Sequence, residues 1–120
     1  MDEKFIPDDI AQFVIEKIDS VAELEALLLL RSHPDRRWTT RNISQRLYLS
    51  DKDAFETLVA LSTKGLAIYK ANGTGWYEYR PGVPEIARMV GGLCAIYSKQ
   101  VVAITNLIHS KAKTKPPRRK

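Results

Sequence analysis

Over residues 66–80 the chain abandons the three-to-four-residue spacing of its apolar positions and begins to alternate. In LAIYKA, Ala67, Tyr69 and Ala71 alternate with Leu66, Ile68 and Lys70, and an aromatic stretch, WYEYR, follows after Asn72-Gly73-Thr74-Gly75. Asn-Gly supplies the positive φ angles that a tight turn between two strands requires, so the segment is predicted to be a β-hairpin. One face of such a hairpin must pack on a body. Everything upstream of it reads as helix.

The first helix is expected over residues 7–18, with Pro7 suited to its first turn and Ile10, Phe13, Val14 and Ile18 on one stripe. Ser20 with Glu23 three residues on has the pattern of a capping box, opening a leucine-rich helix that ends near His33-Pro34. Thr39 or Thr40 caps a short third helix with Ile43 and Leu47 facing inward. Ser50 then caps a fourth, with Ala54, Leu58 and Leu61 on its inner face. Gly65 follows where a helix end favours positive φ. Two short helices joined by so tight a turn form a helix-turn-helix pattern, and the hairpin directly after them takes the place of a wing.

Charge is distributed unevenly. Of the net +5, the last ten residues alone contribute +6 through Lys111, Lys113, Lys115, Arg118, Arg119 and Lys120, leaving the remainder nearly neutral. Residues 1–30 sum to −6, and residues 31–50 to +4. An electropositive patch is therefore confined to that middle stretch. The single cysteine, Cys94, allows no intrachain disulfide and fits a reducing, cytoplasmic setting. The acidic opening MDEKFIPDDI lacks the pattern of a secretory signal. Lys99 near the middle of the apolar stretch 89–108 argues against a membrane span, because an ammonium at the bilayer centre costs at least ~2.5 kcal/mol.

From Ser20 to Arg80 the order of elements resembles the winged helix-turn-helix superfamily. The string SDKDAFETLVALSTKGLAIYKANGTGWYEYRP is most similar to MarR-like bacterial transcriptional regulators, through its capped fourth helix, the Lys64-Gly65-Leu66 step and the Asn-Gly tip. The resemblance implies a mainly α fold with a small β-hairpin wing and a long C-terminal helix. The expected organisation is a winged domain over residues 1–82, the long helix over 83–110 and a disordered basic tail over 111–120. It also implies a dimeric regulator binding double-stranded DNA. The alternative is a winged helix serving as a protein-interaction module or adaptor, and a third reading is a nonspecific nucleic-acid binder acting through the tail.

The residues expected at a duplex fall into three groups. Arg36, Arg37, Arg41 and Arg46 surround the first helix of the motif, where phosphates would be clamped, and Ser50 stands at the start of the next. Lys52, Thr57 and Lys64 lie on the outward side of the fourth helix. Lys70, Asn72, Thr74 and Arg80 belong to the hairpin. One feature departs from the regulator pattern: Asp51, Asp53 and Glu56 outnumber the bases of the helix that would enter the groove, which is unfavourable against phosphate.

In the last helix Ile86, Val90, Leu93, Tyr97, Val101, Ile104 and Ile108 form a continuous stripe, widened by Met89, Ile96 and Leu107. A second copy of the chain is the expected cover for it, with Gly91-Gly92 allowing close helix approach. The alternative is that the stripe folds back on the first helix. No enzyme, cofactor or metal site is expected: Cys94 has no acid or histidine near it, His33 and His109 lack ligand spacing, and Gly73-Thr74-Gly75 is no phosphate loop.

Overall fold

A computed structural model describes residues 6–71, 73 and 75–114, with side chains described as far as Ser110 apart from those of 72 and 74. Among the described residues it is mainly helical, with one small antiparallel sheet: α1 (Asp8–Lys17), α2 (Val21–Ser32), α3 (Thr40–Leu47), α4 (Asp51–Thr63), β1 (Ala67–Lys70), β2 (Trp76–Tyr79), α5 (Pro84–Tyr97) and α6 (Val101–Thr114). Contacts divide the chain into one unit of Ala22–Ala87 and another of Met1–Val21 with Arg88–Lys120. This differs from the expected partition at residue 82, because the first helix groups with the C-terminal helices.

In the unit Ala22–Ala87, short-range chemistry sets the element boundaries. Thr39 caps α3 through a reciprocal box: its hydroxyl accepts from Asn42 N–H at 3.1 Å, and Asn42 Oδ1 accepts from Thr39 N–H at 3.1 Å. Tyr48 ends α3 in the left-handed region at φ 57°, and Ser50 accepts from Asp53 N–H at 3.0 Å to start α4. Gly65, at φ 81°, turns the chain out of α4 into β1, as glycine can without strain. β1 and β2 pair from Ala67 with Tyr79 to Lys70 with Trp76. Asn72 and Thr74, between the two strands in sequence, lie outside the described residues.

A single residue extends this sheet. Trp38 bridges Tyr77 with N–H to O distances of 2.8 and 2.7 Å, tying the segment before α3 to the outer side of β2. The indole is fully buried, together with Leu24, Leu27, Leu30, Ile43, Leu58, Leu61 and Leu66. These side chains come from α2, α3 and α4 and from the segments just before α3 and β1.

The other unit corrects the expectation of one long C-terminal helix. The helix breaks at Ser98-Lys99-Gln100, where Lys99 N–H reaches Ile96 at 3.0 Å and Gln100 N–H reaches Ile96 and Tyr97 at 2.9 and 3.1 Å. This polar triplet has nothing apolar to bury, and the break lets α6 pack on α1. The stripe expected to need a second copy is covered largely by its own chain: Val90, Leu93 and Ile104 are fully buried and Ile108 nearly so, while Ile86 and Tyr97 are half-buried and Val101 is exposed. Gly92 admits α1 closely, since a Cβ there would stand 2.8 Å from Ile10 Cδ1. Residues 111–114, expected in the tail, complete α6, and 115–120 lie outside the described residues. No helix among the described residues is long and apolar enough to cross a membrane.

Candidate interaction surface

Burial of Ala54, Thr57, Leu58 and Leu61 fixes which side of α4 meets solvent. That side presents Asp51, Lys52, Asp53, Glu56 and Thr63 together with two exposed apolar residues, Phe55 and Val59. Its cation is committed locally, with Lys52 Nζ 3.0 Å from Glu56 Oε2. Neighbouring Arg41 lies 3.7 Å from Asp51. The hydrogen bond to Glu56 comes first among the causes that raise the Lys52 pKa. The face is acidic and greasy at once.

Beside it lies a groove of about 560 Å³, formed by Thr39, Thr40 and Arg41 at the start of α3, Phe55 of α4, and Tyr69, Gly75 and Tyr77 of the hairpin. Tyr69 and Tyr77 oppose each other across the strands, with ring centroids 4.9 Å apart. Burial, with a smaller contribution from Tyr69, raises the Tyr77 pKa above its ordinary value. Gly75 has φ 82°, and a Cβ there would collide with the Tyr69 hydroxyl, so glycine lets the tyrosine lie along the hairpin. Tyr69 nonetheless keeps 48% of its surface exposed and Phe55 53%, giving the groove an aromatic rim open to solvent.

A second cluster surrounds the tryptophans. Arg36 and Arg46 place their guanidinium carbons 4.2 and 5.6 Å from the Trp38 ring centre, and Arg37 stacks 4.4 Å over Trp76. Trp76 Nε1 donates to Glu78 Oε2 at 2.8 Å, and Arg80 approaches the other oxygen at 3.3 Å. The Trp76 hydrogen bond, aided by the charges of Lys70, Arg80 and Arg37 and opposed by desolvation, holds the Glu78 carboxyl below its ordinary 4.5. A depressed carboxylate pKa contributes stability above the unfolded-state value and loses it as pH falls through the folded one. An NMR titration of the Glu78 side chain is therefore expected to show a midpoint below 4.5 that Trp76→Phe moves upward. An unchanged midpoint in that variant would remove the hydrogen bond as the cause.

The residues expected at a duplex differ in their exposure. Arg36, Arg37, Arg41, Arg46, Ser50, Lys52 and Arg80 are exposed, and Lys70 is half-buried. Two of the expected contacts are corrected. Thr57 faces the core at 7% exposure, because it shares the spacing of Ala54, Leu58 and Leu61. Lys64 is drawn inward to Glu23 of α2, with Nζ 2.6 Å from Oε1. Asn72 and Thr74 fall outside the described residues. Phe55, Val59 and Tyr69 went unnoticed in the sequence as surface groups. For Phe55 and Val59 the signal was present, as apolar residues of α4 off the inner spacing 54, 58, 61.

Among the described residues, no three of His, Cys, Asp or Glu come together to hold a metal ion, and Cys94 is half-buried. Scanning against protein-family models gives no match, and neither curated proteins nor solved structures supply one.

Proposed function

We propose that the unit Ala22–Ala87 is a winged helix-turn-helix module that docks a protein partner across α4 and the hairpin, in place of reading base pairs. The order of α2, the Trp38 bridge, α3, α4 and a two-stranded hairpin supports the winged-helix reading. The observation that carries the docking reading is the outward side of α4. Asp51, Asp53 and Glu56 would stand against phosphates in a major groove, and the one lysine among them is already paired. Phe55, Val59 and Tyr69 suit a protein contact, where exposed aromatic groups flanking a groove act as anchors. A transcriptional regulator of the resembled kind would need the opposite charge on this helix.

Selection from a displayed random-peptide library on the folded full-length chain tests the proposal. Enriched peptides are expected to lose at least about tenfold in affinity, or ~1.4 kcal/mol, on Phe55→Glu, with thermal unfolding unchanged because the ring is half in solvent. Peptides that bind both proteins equally would overturn it. So would selection of a defined DNA sequence whose recognition depends on Lys52 or Glu56.

A further inference from the structure

We propose that Arg36, Arg37 and Arg46, held on Trp38 and Trp76, form a sequence-independent binding site for the phosphodiester backbone of a nucleic acid. This site is separate from the α4 face and does not rest on the docking function proposed for it. The two indoles have different exposures. Trp38 is fully buried and serves as a platform beneath Arg36 and Arg46, whereas Trp76 is half-exposed beneath Arg37.

Stacking decides what these arginines can do. A guanidinium held over an aromatic ring commits none of its N–H donors to a partner oxygen, so the donors of these exposed arginines remain available to a ligand. The N–H edge of a guanidinium matches the paired oxygens of a phosphate or carboxylate. Among the described residues, none of the three has a carboxylate within ion-pair distance, in contrast to Arg41, Lys52, Lys64 and Arg80. Glu78 influences Arg37 electrostatically, but its two oxygens are engaged by Trp76 and Arg80. Among the described residues, three exposed cations therefore remain without a carboxylate in ion-pair contact.

Their placement favours an extended polyanion over a single small ion. Arg36 and Arg37 are consecutive in the segment that ends at the Trp38 bridge, on the outer side of the sheet. Arg36 lies over the ring of Trp38, whereas Arg37 lies over Trp76 of β2. Arg46 joins from the last turn of α3, where its charge also complements the helix dipole. The three thus flank a sheet edge, and the depression that Arg36 shares with His33, Pro34 and Asp35 is wide open to solvent. A backbone with repeated phosphates can engage all three, and guanidinium contacts to phosphates carry no sequence information, so binding is expected to be indifferent to sequence.

The test must separate this site from the C-terminal basic run. Fluorescence anisotropy would follow random-sequence single-stranded and duplex oligonucleotides binding to a full-length chain with Lys111, Lys113, Lys115, Arg118, Arg119 and Lys120 changed to Gln. This chain is expected to bind at low salt. Adding Arg36→Gln, Arg37→Gln and Arg46→Gln is expected to weaken binding about tenfold or more and to reduce the slope against log salt by roughly 2–3, near 0.9 per lost phosphate contact on duplex. Arg37→Gln alone, which leaves the cover of Trp38 intact, is expected to lower the slope by about one and supplies the reading if the triple variant melts early. Equal affinity and slope with and without the arginines overturns the site. So does absence of oligonucleotide binding by the tail-neutralised chain, or binding to anionic phospholipid vesicles in its place.

Discussion

Trp38→Ala is expected to destabilise the protein by about 3–5 kcal/mol, the range for removing a large aromatic side chain from a packed core. The residue is fully buried, bridges Tyr77 through both backbone groups, and lies beneath Arg36 and Arg46. Alanine retains the backbone bonds but removes the body that joins the helices to the hairpin. A loss of that size is a large part of the stability of an ordinary small domain. Trp38→Phe is expected to cost much less. It keeps a ring and also removes Nε1, which is buried without a hydrogen-bond partner among the described residues and carries a penalty of roughly 1–3 kcal/mol. Urea unfolding followed by circular dichroism measures both. A loss under about 1 kcal/mol in the alanine variant would mean that the site collapses around the gap and that the indole does not organise the unit.

The features legible in the sequence were those governed by neighbours a few residues apart. The Thr39 cap, the Ser50 cap, the positive φ of Gly65 and the pairing of residues 67–70 with 76–79 all follow from local spacing and turn chemistry. The bridge at Trp38 did not, because one residue shows no period and its partner is Tyr77, far along the chain. The helix break at residues 98–100 is likewise tertiary. Periodicity in α5 and α6 has the same phase on either side of it, so the polar triplet 98–100 alone did not announce a turn, which the packing of α6 on α1 accompanies.

The same division runs through the candidate surfaces. The arginines of residues 31–50 were visible as a charge cluster, since charge needs no geometry to be counted. Which of them retain a free edge was not visible, because Arg41 finds Asp51 only after α3 and α4 have packed, while Arg36 and Arg37 find indoles. On α4 the acids were legible and the exposed Phe55 was passed over. Together these features describe two chemically distinct faces, the acidic and aromatic outer side of α4 and the cationic cluster over the indoles.

Lys64 illustrates how a surface cation becomes structural, and its replacement is expected to have the second large effect. Its side chain is 19% exposed and that of Glu23 is 11%, with 2.6 Å between the charged atoms. Losing one member of a largely buried pair leaves the other desolvated, at a cost of about 3–5 kcal/mol when burial is complete. With the remaining access to water, Lys64→Met is expected to cost about 2–3 kcal/mol. Glu23→Gln should cost less, because the lysine stem can carry its ammonium toward solvent. Combining Glu23→Gln with Lys64→Met is expected to recover part of the loss, giving a coupling of about 1 kcal/mol or more in a double-mutant cycle. Additivity to within about 0.5 kcal/mol would show that the ion pair contributes nothing beyond its separate side chains. The same Lys64→Met protein should bind oligonucleotides as tightly as its parent wherever both are folded. A cation turned toward α2 has no reach to a phosphate, so a weakened complex would return Lys64 to the binding surface.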